Sequence, residues 1–91
     1  MEKISQLRKK IDKLDEQILR LLSERVKICR SIGSVKREHG IAIKDAYRES
    51  EVYVHVRRKA AEFALDPAQV GAVYRQIINM CHSVQELEEK G

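Results

Sequence analysis

The strongest constraint on the fold of this chain is an apolar repeat near its N-terminus. The steps between apolar residues alternate between three and four, which places their side chains along one stripe of an α-helix. Nine of the ten positions in this stripe are aliphatic. We call the stripe the seam, and its members are Ile4, Leu7, Ile11, Leu14, Ile18, Leu21, Arg25, Ile28, Ile32 and Val35. The sequence therefore predicts one long N-terminal helix.

Arg25 is the charged member of the seam, and a guanidinium in an apolar stripe is unfavourable unless an anion meets it. Lys36 follows Arg25 by eleven residues, or three helical turns and ~16 Å, so both side chains can reach one small ligand. Arg8 precedes Arg25 by seventeen residues, which is ~25 Å along the same helix. If Arg8 serves the same site, it must come from a second, antiparallel subunit.

The length of the chain favours association. The 91 residues form one predicted domain, 1–91, yet a helix of ~33 residues is ~50 Å long, which exceeds the width of a compact domain of this size. A single chain cannot cover both flanks of the seam, so a homodimer is expected. The composition, with 35% charged residues, one proline and no tryptophan, is typical of an all-helical protein.

Two further helices are predicted after a short loop. Asp45 is a candidate N-cap for the second helix, which we expect to run through Val52 despite a strand-like alternation nearby and to place Phe63 on its apolar stripe. The Asp66-Pro67 pair has the residues of a helix start. The fold class is therefore predicted to be all-α, with three helices per chain.

Charge and cysteine usage narrow the function classes. The net charge is +4, which suits an anionic partner. The notable cations lie along the apolar seam, however, and the sequence has no basic patch interleaved with aromatic residues. Binding to nucleic acid is therefore not expected. Cys29 and Cys81 show neither disulfide-framework nor zinc-site spacing, and reduced thiols are expected. With neither a signal sequence nor an apolar run of ~18 residues, a cytoplasmic protein without membrane contact is predicted.

The chemistry-bearing residues form one set. The sequence has no nucleophilic triad, Gly-rich phosphate loop or metal-ligand spacing, so no metal or cofactor is expected. His39, His55 and His82 are interpreted as surface or core-edge residues. A set that can bind and polarise a polyanionic small molecule does occur, and its members are Arg8, Arg25, Lys36, Asp45, Arg48, Glu49 and Gln85.

These residues resemble those of the all-helical chorismate mutases, a family of intertwined homodimers of three-helix chains. The matching segments are LRKKIDKLD (residues 7–15), LLSER (21–25), GSVK (33–36), DAYRE (45–49) and II (77–78), followed by Gln85. The resemblance implies the Claisen rearrangement of chorismate to prephenate in phenylalanine and tyrosine biosynthesis, without a cofactor or a covalent intermediate. It also leaves room for association with another enzyme of aromatic biosynthesis.

The resemblance implies a role for each matching position. Arg25, with Arg8 of the other subunit, would hold the two carboxylates of chorismate. Lys36 and Gln85 would donate to its ether oxygen from opposite sides. Glu49 would accept from the ring hydroxyl, and Cys81 stands where many relatives have serine. The other implied contacts are Arg48 at the carboxylate end, Asp45 at the rim, and Val52 and Ile78 on the ring.

Two other functions fit the same sequence. An isochorismate pyruvate-lyase would use the same cations on an isomeric substrate, although the Arg48, Glu49 and Gln85 set favours the mutase. A non-catalytic helical dimerisation or regulatory module would need the seam but not Arg25.

Overall fold

The computed structural model describes the backbone of residues 1–90 and the side chains of residues 1–86. Its elements in chain order are α1 (Glu2–Glu38), α2 (Ala46–Glu62) and α3 (Pro67–Lys90). α3 packs against both α1 and α2. The longest dimension of the chain is 56 Å, which matches the ~1.5 Å rise per residue of α1. The prediction of an all-α chain with a long N-terminal helix is confirmed.

The helix ends follow the local signals of the sequence. α1 ends before Gly40, whose φ of 65° only glycine adopts without strain. Asp45 caps α2, because its Oδ1 atom accepts a hydrogen bond of 3.0 Å from the backbone N–H of Arg48. Asp66 caps α3 by accepting from the backbone N–H of Ala68 at 2.8 Å. These caps confirm the predicted helix starts.

The buried core of the single chain is small. Its apolar members are Cys29, Val56, Ala60 and Ile78, and the buried polar side chain is Gln85. The predicted apolar stripe of α2 is buried at Val56 and Ala60, whereas its last member, Phe63, is 73% exposed in the single chain. Phe63 is the residue after the last helical position of α2, so the helical repeat no longer controls its direction.

The seam of α1 is largely uncovered. Its nine aliphatic side chains are between 44% and 63% exposed in the single chain, and every residue from 1 to 21 is exposed. A contiguous apolar surface of this size marks an interaction surface. Among the residues that the structure describes, no helix combines the length and apolar character needed to cross a membrane.

The turn between α2 and α3 contains a strained residue that can be tested. Ala64 has a φ of 58°. This lies in the left-handed region of the backbone, which is unfavourable for any residue with a Cβ atom. We expect Ala64→Gly to raise the free energy of unfolding by about 0.5 to 1 kcal/mol, after subtracting the greater entropy of glycine in the unfolded chain. Urea unfolding at fixed protein concentration measures the change.

The matched control is Ala72→Gly at an exposed position inside α3. There the same exchange should lower the free energy of unfolding by about 0.5 to 1 kcal/mol, because glycine is a poor helix former. A loss of stability in both variants would contradict the strain assigned to Ala64.

Candidate active site

A cavity of about 240 Å³ lies where the three helices meet. Its polar lining comes from all three helices and the residue that caps α2: Arg25, Lys36, Asp45, Arg48, Glu49, His82 and Gln85. Its apolar lining is Ile28, Cys29, Ile32, Ile43, Val52, Ile78 and Cys81. The structure thus brings together every predicted site residue except Arg8, which lies on the exposed N-terminal part of α1.

The α1 wall of the cavity carries two cations. The Arg25 guanidinium lies with its Cζ atom 5.9 Å from the centre of the Tyr74 ring, and its Nη1 atom lies 3.8 Å from Cys29 Sγ. Lys36 Nζ donates to the backbone carbonyl of Ile43 at 2.8 Å. Neither cation forms a salt bridge with a side chain in the described part of the chain. Both charges therefore remain available to an anionic ligand.

Gln85 of α3 lines the cavity beside α1 and is only 3% exposed. Its Nε2 atom donates to the backbone carbonyl of Cys29 on α1 at 2.9 Å. An amide nitrogen carries two hydrogens, so one remains to be donated into the cavity. Gly33 makes this arrangement possible, because a Cβ atom at that position would lie 2.9 Å from Gln85 Cγ.

The α2 wall contributes the acidic residues. The Asp45 carboxylate is engaged by the Arg48 backbone N–H of its own helix. The Arg48 side chain is mostly exposed and lies 3.6 Å from Glu51. Glu49 instead faces α3, where its Oε1 atom lies 3.0 Å from Nε2 of His82. Both carboxylates of this wall therefore already have partners.

Sequence reasoning missed His82 and Gly33. The interpretation of His82 as a surface or core-edge residue agrees with its side-chain exposure of 25%, but it did not include the cavity that His82 lines. A signal was present, because His82 precedes Gln85 by three residues, a spacing that puts both side chains on one helix face. Gly33 gave no such signal, because its role depends on how closely α3 approaches α1.

The two cysteines correct a prediction. A disulfide joins Cys29 of α1 to Cys81 of α3, with a Cα–Cα distance of 5.4 Å, so the expectation of reduced thiols is wrong for this structure. The sequence separation of 52 between the cysteines gave no sign of a pairing that helix packing creates. Cys29 follows Arg25 by four residues and Cys81 precedes Gln85 by four. The bridge therefore ties α1 to α3 one helical turn from each of two cavity residues.

We expect reduction of the disulfide to lower the free energy of unfolding by roughly 4 kcal/mol, because the closed loop no longer restricts the unfolded chain. Thermal unfolding with and without reductant, at fixed protein concentration, measures the change. Cys81→Ser should unfold like the reduced wild type and should not respond to reductant. Equal unfolding midpoints for oxidised and reduced wild type would contradict the stabilising role of the bridge.

Comparison with known proteins supports the resemblance seen in the sequence. A bifunctional chorismate mutase/prephenate dehydratase of Aquifex aeolicus is 36% identical over 89 residues, which cover 94% of this chain but 25% of that protein. A chorismate mutase of Methanocaldococcus jannaschii is 35% identical over 92 residues, covering 98% of this chain and 92% of that protein.

A solved structure has a similar fold. A conserved hypothetical protein from Pyrococcus furiosus superposes with a TM-score of 0.74 and 35% identity, covering 93% of this chain and 97% of that one. The family model for chorismate mutase type II matches residues 7–86. These matches, together with the three-helix fold, show that the chain belongs to the chorismate mutase type II family.

Proposed function

We propose that this chain rearranges chorismate to prephenate, a step toward phenylalanine and tyrosine. The observation that carries the proposal is that two cations, Arg25 and Lys36, line one cavity with the buried amide of Gln85 and have no carboxylate partner among the described residues. Chorismate carries two carboxylates and an ether oxygen, so it offers an acceptor for each of these donors. The rearrangement transfers no proton, and the site accordingly needs no general acid or base.

Lys36 and Gln85 supply the electrostatic part of the catalysis. The carbon–oxygen bond of chorismate breaks before the new carbon–carbon bond is complete, so negative charge gathers on the ether oxygen in the transition state. Donors fixed on both sides of that oxygen stabilise the transition state more than the substrate. The backbone carbonyls that hold Lys36 and Gln85 in place, those of Ile43 and Cys29, keep these donors oriented before the reaction.

The remaining residues orient the substrate. Arg25 holds one carboxylate and so keeps the enolpyruvyl arm over the ring, which lowers the entropic part of the barrier. Val52 and Ile78 pack against the ring, and Glu49 accepts from its hydroxyl. Asp45 and Arg48 lie at the rim. Cys81 contributes packing alone while its sulfur is in the disulfide, because it then has no hydrogen to donate.

The working form is a homodimer with shared sites. The seam residues Ile28 and Ile32 line the cavity and are also exposed, so a second copy that covers the seam also closes the cavity. An antiparallel partner helix would bring its own Arg8 to the site, where it binds the second carboxylate. This supports a dimer in which each cavity uses residues from both chains.

The proposal also includes a partner enzyme and a location in the cell. The Aquifex aeolicus relative joins a chorismate mutase and a prephenate dehydratase in one protein. This supports association of the present chain with another enzyme of aromatic biosynthesis, one that consumes prephenate. We also propose a cytoplasmic location, where the enzymes of such a pathway share their intermediates.

The first test is the loss of chorismate absorbance in the ultraviolet on adding the purified protein, with prephenate identified as the product. We expect Lys36→Ala to lower kcat by about 10²- to 10³-fold, the usual effect of removing one donor to a developing oxyanion. Lys27→Ala is the matched control, because Lys27 is an exposed lysine of the same helix outside the cavity. It should keep the wild-type rate.

Two other results of this assay would favour the two alternative functions. Release of pyruvate from isochorismate, with chorismate untouched, would identify the pyruvate-lyase. If the intact dimer acts on neither substrate, the protein is instead a non-catalytic dimerisation or regulatory module.

Mixing two inactive variants tests the shared site. Arg8→Ala and Arg25→Ala should each be nearly inactive as homodimers. Exchange of subunits in an equal mixture should restore about a quarter of the wild-type activity, because half of the dimers are mixed and each mixed dimer has one intact site. A mixture of Arg25→Ala with Lys36→Ala is the control and should restore nothing, since both residues belong to the same α1 wall. Activity in that control, or none in the first mixture, would contradict the arrangement.

A further inference from the structure

We propose that His82 is a positioning residue, which holds the Glu49 carboxylate in the orientation that accepts the ring hydroxyl of the substrate. The proposal rests on the proposed function and adds a residue for which the sequence comparison implied no role. Its basis is the contact between α2 and α3 in the wall of the cavity.

The pair is well defined by distance and burial. His82 Nε2 lies 3.0 Å from Glu49 Oε1, and the two side chains are 25% and 26% exposed. Both line the cavity. Partial burial strengthens a charge-assisted hydrogen bond relative to one at the open surface.

The other charged side chains that line the cavity contact groups other than Glu49 and His82. Asp45 accepts from a backbone N–H, and Arg48 is paired with Glu51. Arg25 and Lys36 belong to the α1 wall, where they contact Cys29 Sγ and the Ile43 carbonyl. Among the described residues, His82 is therefore the side chain that fixes Glu49.

The chemistry of the pair suits a neutral hydroxyl on the ligand. Nε2 carries a hydrogen in the imidazolium and in one neutral tautomer, so His82 can donate to Oε1 in either charge state. The second carboxylate oxygen, Oε2, then remains as the acceptor for the substrate. Without His82 the Glu49 carboxylate is free to rotate. When His82 is an imidazolium, its removal also takes away a positive charge that offsets the repulsion between Glu49 and a dianionic substrate.

Two substitutions of His82 separate positioning from packing. We expect His82→Val to lower kcat/KM for chorismate about tenfold, and His82→Gln, whose amide can still donate, to stay within about threefold of wild type. His55→Val is the matched control, because His55 is exposed on α2 outside the cavity, and it should leave kcat/KM unchanged. Equal losses for His82→Val and His82→Gln would indicate packing alone and overturn the proposal.

A double-mutant cycle assigns the effect to Glu49. In a Glu49→Ala background, adding His82→Val should cause no further loss of kcat/KM, since the carboxylate it positions is gone. A full additional tenfold loss in that background would overturn the proposal. A chorismate analogue that lacks the ring hydroxyl should likewise be turned over at equal rates by wild type and His82→Val.

A measurement on the unliganded protein keeps this test independent of turnover. The ¹⁵N spectrum of His82 should show hydrogen on Nε2 in wild type and a mixture of tautomers in Glu49→Ala; identical spectra would overturn the proposal. If wild type does not convert chorismate, the proposed function fails. The comparison between wild type and His82→Val is then made by calorimetric binding of chorismate, where equal affinities overturn the role of His82.

Discussion

The close approach of α3 to α1 at Gly33 is the constraint on which the cavity depends. A buried amide is costly unless it is hydrogen-bonded, and Gln85 meets that requirement at the carbonyl of Cys29. The bond forms because Gly33 has no side chain to displace Gln85. The disulfide fixes the same pair of helices covalently, close to this contact. Together these contacts set the separation between the amide on α3 and the cations on α1.

Among the described residues, the anions of the cavity are paired with hydrogen-bond donors, whereas its cations on α1 have no carboxylate partner. Asp45 accepts a backbone hydrogen bond, and Glu49 is paired with His82. Arg25 and Lys36 contact a sulfur atom and a backbone carbonyl, which leave their positive charges unbalanced. This asymmetry gives the cavity a positive wall despite its two carboxylates. A dianionic ligand is therefore attracted to the α1 wall, while Glu49 stays available as a hydrogen-bond acceptor.

Most of the fold could be predicted from local sequence, whereas part of the site could not. The caps Asp45 and Asp66 and the turn residue Gly40 predicted the helix boundaries, and the eleven-residue spacing predicted that Arg25 and Lys36 share one side of α1. The Cys29–Cys81 bridge depends instead on which face of α3 meets α1, and that register between helices has no local signal. The same limit concealed the pairing of His82 with Glu49.

The uncovered seam would link association to catalysis in the proposed dimer. Arg25, Ile28 and Ile32 belong both to the seam and to the cavity lining, so the surface that needs a partner is continuous with the surface that would bind substrate. Covering the seam removes apolar area from water and at the same time excludes water from the cavity. In such a drier site the attraction between the α1 cations and a dianion would be less screened, and the proposed donors Lys36 and Gln85 would act more strongly on developing charge. In the proposed dimer, association and transition-state stabilisation would therefore depend on the same stretch of α1. A single chain would lack the partner's Arg8 as a ligand for the second carboxylate, and its cavity would stay open to water.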